Sequence, residues 1–133
     1  MKGHARHLMT EQVFALAPDM RLSAVARLFT EHGLSGAPVV DADNRVLGFL
    51  SETDLLGSLL RGDQEESTAA DVMARPAIVV DEFMTTDEVM AVLRDRSIHH
   101  VPVVREGRLV GIITPRDILK YFVDHAVPPK ETA

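Results

Sequence analysis

Apolar positions along the chain follow two patterns, and each predicts a kind of element. Short apolar runs rich in β-branched residues predict strands: Gly36-Ala-Pro-Val-Val40, Val46-Leu-Gly-Phe-Leu50, Ala77-Ile-Val-Val80, Val101-Pro-Val-Val104 and Leu109-Val-Gly-Ile-Ile113. Val13-Phe-Ala-Leu16 is a weaker run, a short strand or an extended segment. Apolar residues at helical spacing predict helices. Leu22, Val25, Leu28 and Phe29 share one face over 22–32, and Gly33 suits the position just beyond the end. Val89, Val92 and Leu93 share a face of a second helix, opened by the capping box Thr85-Thr-Asp-Glu88; Met90 in that stripe reads as core filler. Helices over 53–60 and 115–125 each follow a strand directly. Ile118, Leu119 and Phe122 are the expected buried face of the last one. A short helical turn is expected over 69–73, capped by Ser67 or Thr68 and ended by Arg75-Pro76. Residues 1–8 are polar and expected to be loose.

The pattern occurs twice. Gly48, Ser51 and Asp54 are matched by Gly111, Thr114 and Asp117, each 63 positions on. Pro38 and Met9 are matched by Pro102 and Met73, 64 positions on, so one residue is lost in the turn between the matched strands. Each copy reads strand, helix, strand, strand, helix. This organises the chain as a first repeat over 1–61, a linker over 62–68, a second repeat over 69–125 and a tail over 126–133. A half of this length is marginal alone, so the two are expected to share a core. Gly48 and Gly111 sit in mid-strand, where glycine weakens a strand. They predict close approach of another backbone or a helix at those points.

Composition narrows the function. The 133 residues are 46% hydrophobic and 26% charged, the profile of one soluble globular domain. No run is long enough to span a membrane, and no signal-peptide pattern opens the chain. The absence of cysteine removes disulfides and thiolate chemistry and fits a cytoplasmic protein. A net charge of −6 argues against broad nucleic-acid binding. There is no Walker-type loop, no nucleophile elbow and no spaced carboxylate–histidine cluster, so an enzyme is not expected. His4 and His7 are spaced as metal ligands could be, but a solvated terminus is the simpler reading and no metal site is expected.

Two motifs recur in order in both copies. One is Leu34-Ser-Gly-Ala-Pro-Val-Val40 and Ile98-His-His-Val-Pro-Val-Val104. The other is Gly48-Phe-Leu-Ser-Glu-Thr-Asp54 and Gly111-Ile-Ile-Thr-Pro-Arg-Asp117. Together with the repeat length they resemble the CBS domain, and the tandem arrangement resembles a CBS pair, or Bateman module, over about residues 8–124. The resemblance implies an α+β fold of two tandem β-α-β-β-α repeats related by a pseudo-two-fold axis, with two symmetry-related clefts between them. It implies a regulatory module without chemistry of its own, no cofactor, and an adenine nucleotide (AMP, ADP, ATP or S-adenosylmethionine) as regulatory ligand. It also implies a homodimer. With no attached enzyme or channel in the sequence, any effector would be a separate protein unless the chain is a fragment. The alternative is a constitutive interaction module with empty clefts.

By the same resemblance Thr114, Arg116 and Asp117 match the nucleotide motif, with Asp117 accepting from ribose hydroxyls and Thr114 and Arg116 meeting phosphate. Ser51, Thr53 and Asp54 match in the first copy, where Thr53 replaces the arginine and Glu52 adds a negative charge. The Asp117 side is therefore expected to be the tighter one for phosphate-bearing ligands. The base slot is expected from Thr10, Val13, Gly36, Ala37 and Pro38 in one copy, and from Arg75, Ile78, His99, His100 and Pro102 in the other. His99 and His100 are adjacent in an extended stretch, so their side chains point to opposite faces; the simpler reading is one exposed and one satisfied by hydrogen bonding, the other that one borders a cleft.

Overall fold

The computed structural model describes residues 3–62, 66–126 and 128. The expected segments over 63–65 in the linker and most of the tail lie outside the described residues. The elements run α1 (Ala5–Leu8), α2 (Leu22–His32), β1 (Gly36–Val40), β2 (Val46–Ser51), α3 (Glu52–Leu60), α4 (Ala69–Val72), β3 (Val80–Asp81), α5 (Thr86–Arg96), β4 (Val101–Arg105), β5 (Arg108–Ile113) and α6 (Pro115–Ala126). β1 and β2 form an antiparallel hairpin, and β3-β4-β5 form a mixed sheet. Both hairpins carry a register break at matched places, Val39/Val40 and Val103/Val104. The run ending at Leu16 contributes one parallel bridge to Val39, where the second repeat has β3 beside β4. Of Ala77–Val80 only the last residue joins the sheet.

Each repeat is closed by a segment of the other. The backbone of Thr10 pairs with Ile112 in β5, and that of Ala74 pairs with Phe49 in β2. Ahead of these bridges, α1 packs Ala5 and Leu8 into the core of Val80, Val89, Leu93, Val101, Val103 and Ile113. In the same way α4 and Met73 pack into the core built on Leu16, Leu22, Val25, Phe29, Val39 and Leu50. One shared core was the expectation; the structure has two, each completed by exchange. From Gly3 onward the expected loose start is instead folded against the second repeat. Ala5 and Leu8 are buried, and the N–H groups of Ala5 and Arg6 donate to the carbonyls of Met84 and Glu82.

The mid-strand glycines make the exchange possible. A Cβ on Gly48 would lie 2.6 Å from Met73 Sδ and 2.7 Å from the Ala74 carbonyl oxygen. A Cβ on Gly111 would lie 2.5 Å from Met9 Sδ. Where the exchanged segment crosses the strand there is room for a hydrogen atom alone.

The helices start as their sequences suggest. Thr85 and Glu88 form a reciprocal cap on α5, Thr68 caps α4 with Asp71, and Ser51 Oγ accepts from the Asp54 N–H on α3. The last helix differs from expectation in its inner face. Ile118 and Tyr121 pack on the core, while Leu119 and Phe122 are 65% and 44% exposed. A helix with two apolar stripes can bury one against its own sheet; here the other is left to solvent, with Leu56 and Leu60 of α3 in the matching place.

Candidate ligand-binding site

β2 runs into α3 with no intervening loop, so Ser51 is both the last strand residue and the helix cap. The Glu52 N–H donates to the carbonyl of Ser35 at 2.9 Å, which fixes the helix start beside the entry to β1. Two segments of the other repeat meet this edge. Ala74 exchanges backbone hydrogen bonds of 3.0 and 2.9 Å with Phe49 and brings Pro76, Ala77 and Ile78 with it. Ile98, His99 and His100 arrive from the end of α5. Together they enclose a cavity of about 510 Å³, with Phe49, Ile78 and Ile98 as apolar wall and Ser35, Ser51 and Thr53 as polar groups.

His100 is half-buried at the centre. Its Nε2 is hydrogen-bonded to Ser35 Oγ at 2.8 Å, and its ring centroid lies 5.3 Å from that of Phe49. Burial holds its pKa below the usual histidine value, with His99 acting in the same direction and the Glu52 carboxylate opposing. The ring is therefore neutral near pH 7.

A second cavity, about 220 Å³, is lined by Val13, Phe14, Gly36, Ile112 and Thr114. These match, position for position, Ala77, Ile78, His100, Phe49 and Ser51 of the first. Ser35 and His100 line both cavities, so this hydrogen-bonded pair is the wall between them. The larger cavity is on the Ser51 side.

A CBS domain model matches residues 5–61 and 69–124. The chain belongs to the CBS domain family. Hypoxic response protein 1 of Mycobacterium tuberculosis is 32% identical over 125 residues, covering 92% of this chain and 87% of that protein. A crystal structure of Hypoxic Response Protein I with two coordinated zinc ions superposes with a TM-score of 0.81 at 30% identity, covering 90% of this chain and 98% of that one. Two other CBS structures share the fold at 22% identity. One is the CBS domain pair of protein MJ0100 in complex with 5-methylthioadenosine and S-adenosyl-L-methionine (TM-score 0.81, covering 93% and 98%). The other is CBSX2 in complex with AMP (TM-score 0.82, covering 91% and 96%). Among the described residues of this CBS pair, no group of three or more His, Asp or Glu converges as a metal site. No helix among them is long and apolar enough to cross a membrane.

The structure divides the residues expected at the two nucleotide sites. Ser51, Thr53, Ile78, His99 and His100 line the larger cleft between the CBS repeats; Val13, Gly36 and Thr114 line the smaller. The aspartates line neither. Asp117 sits in the third position of a capped helix, which turns its carboxylate back along the helix flank. There Oδ2 accepts from the Thr114 N–H at 2.9 Å and from its hydroxyl at 3.1 Å, and Oδ1 accepts from Thr10 at 2.8 Å. Asp117 and Thr10 thus belong to a separate hollow of about 260 Å³ with His7, Lys120 and Tyr121. Asp54 faces the matching hollow, about 310 Å³, whose edge at Thr53 adjoins the larger cleft. The Asp54 carboxylate accepts no hydrogen bond from the described residues. Ala37, Pro38 and Pro102 are buried within their strands and line none of these hollows. Arg75 and Arg116 are exposed and line none of these hollows. Phe49 and Ser35 were missed as cleft residues. Phe49 follows a mid-strand glycine that faces the exchanged segment, so strand alternation turns its ring the other way, into the cleft.

Proposed function

We propose that this CBS pair is a non-catalytic regulatory module that binds an adenine nucleotide or S-adenosylmethionine in the larger cleft between its repeats. The observation that carries the reading is the 510 Å³ cavity with mostly apolar walls and a few fixed polar groups, built from both repeats at once. Its size and lining suit a nucleoside-sized ligand. Structures of CBS relatives with AMP and with S-adenosylmethionine bound support the ligand class. A ligand held by both repeats favours whichever relative placement of the two fits it best, which is what a sensor needs.

The reading includes a homodimer. Leu56 and Leu60 of α3 and Leu119, Phe122 and Val123 of α6 give two pseudo-symmetric helices exposed apolar stripes, which a second copy would cover. A separate effector protein and a cytoplasmic location complete the proposal; nucleic acid and membrane are not expected partners. Thermal unfolding of ligand-stripped protein with AMP, ADP, ATP, adenosine and S-adenosylmethionine tests it. Ligand at a hundred times its Kd contributes about 2.7 kcal/mol, a rise in Tm of about 10 °C for a chain of this size. No shift with any of them leaves the second reading, constitutive pairing through the exposed stripes with empty clefts.

A further inference from the structure

We propose that the larger cleft selects against phosphate: its ligand is a nucleoside bringing a neutral or positively charged group to the start of α3, and Glu52 sets that preference. The inference rests on the cleft being the adenine-ligand site and names the charge class it accepts.

Three observations lead there. First, no lysine or arginine lines the cavity; the titratable groups that do are Glu52, His99 and His100. A phosphate buried without a cation or several directed N–H donors pays a large desolvation cost. Second, the helix start that could supply such donors already has its own anions. Glu52 and Asp54 both stand in the first turn of α3, where carboxylates answer the positive end of the helix, and Ser51 Oγ takes up the Asp54 N–H. Third, Glu52, exposed to solvent, lines the same cavity as His100. It acts on His100 against both burial and His99, so its charge is felt in the cavity rather than only in solvent. His100 itself offers no cation near neutral pH, and its Nε2 is engaged by Ser35.

The smaller cleft is a control built into the same molecule. Where the first repeat has Ser51-Glu52-Thr53, the second has Thr114-Pro115-Arg116. The scaffold is the same, but the acid is replaced by a neutral residue and the next position by a cation. Neither Pro115 nor the exposed Arg116 lines the smaller cleft, so Glu52 in the lining of the larger one is the charged helix-start residue that distinguishes the two.

The test is calorimetric titration of ligand-stripped protein with S-adenosylmethionine, adenosine and AMP, at low and high salt, on wild type, Glu52→Gln and Glu52→Lys. In wild type, S-adenosylmethionine and adenosine are expected to bind about tenfold or more tighter than AMP. Glu52→Gln is expected to weaken S-adenosylmethionine about fivefold, leave adenosine within about twofold, and tighten AMP; Glu52→Lys is expected to invert the order of the charged pair. High salt should shrink these differences. If the ratio of S-adenosylmethionine to AMP affinity is unmoved by both substitutions, the inference fails while the adenine-site reading stands. If none of the three ligands binds wild type, both fall.

Discussion

Replacing Gly48 and Gly111 in turn by alanine distinguishes a contact through backbone from one through a side chain. At Gly48 the new Cβ would meet the Ala74 carbonyl oxygen at 2.7 Å as well as Met73 Sδ at 2.6 Å. That carbonyl accepts from the Phe49 N–H at 3.0 Å, and the Ala74 N–H donates back at 2.9 Å, so relief of the clash stretches two backbone hydrogen bonds. Overpacking costs about 1–3 kcal/mol and weakening each bond up to about 1 kcal/mol, while alanine returns about 0.4–1 kcal/mol by restricting the unfolded chain. The expected net loss is about 2–3 kcal/mol. At Gly111 the obstacles are Met9 Sδ, Cγ and Cβ at 2.5, 2.8 and 3.0 Å, all side chain. Methionine adapts to such intrusions, so the expected loss is about 1 kcal/mol or less. Urea unfolding followed by far-UV circular dichroism reads the difference. With a slope of about 1.5 kcal/mol/M, midpoints should fall by about 1.5 M and 0.5 M. Met9→Ala should recover much of the Gly111→Ala loss, and Met73→Ala little of the Gly48→Ala loss. Equal losses at the two sites, or equal recovery, would refute the exchange of segments as described.

Ser97 ends α5 in the left-handed region at φ 52°, where Gly33 ends α2 at φ 63° in the first repeat. Ser97→Gly is expected to raise stability by about 0.5–1 kcal/mol, and Gly33→Ser to lower it by a similar amount, measured by the same unfolding curves. His100 carries a pH signature. Its folded pKa lies below the unfolded value, so below about pH 6.5 the unfolded chain binds more protons than the folded one, and the stability present above that pH is lost as pH falls through the folded value. Phe49 and Ser35 pack on the ring, and Glu52 and His99 are the charged or titratable groups acting on it. The excess stability of wild type over His100→Gln should shrink between pH 8 and pH 5; an excess that grows would contradict the placement.

The duplication was legible because identical spacings of Pro, Gly and Asp survive in both halves, and α2 could be bounded by its apolar stripe and Gly33. That Gly48 and Gly111 admit a close neighbour was legible too, and Met9 and Met73 kept the same offset. What could not be read was whose core each methionine enters. Periodicity reports that a residue is buried, not which half buries it, so exchange looks the same as self-packing. The four residues of α1 are too short to show a period, and His4, Arg6 and His7 disguised them as a polar terminus. Leu119 and Phe122 were legible as apolar but not as outward-facing, because Ile118 and Tyr121 offered a second stripe. In the site, the Ser/Thr-x-x-Asp spacing marked the helix starts. It also read as a plain helix cap, which is where Thr114 and Asp117 stand; it did not show that Asp117 would also accept from Thr10, nor that Ser35 and His100 would divide one space into two.

Carbon-13 spectra of the aromatic side chains, recorded while ligand-stripped protein is titrated with adenosine, follow the cleft directly. Phe49 and His100 should move together along one saturable curve, with Phe29 and Tyr121, which lie outside it, left in place. Saturable binding that leaves Phe49 and His100 unmoved, or that shifts Tyr121 in the Asp117 hollow instead, would place the ligand away from the junction of the repeats.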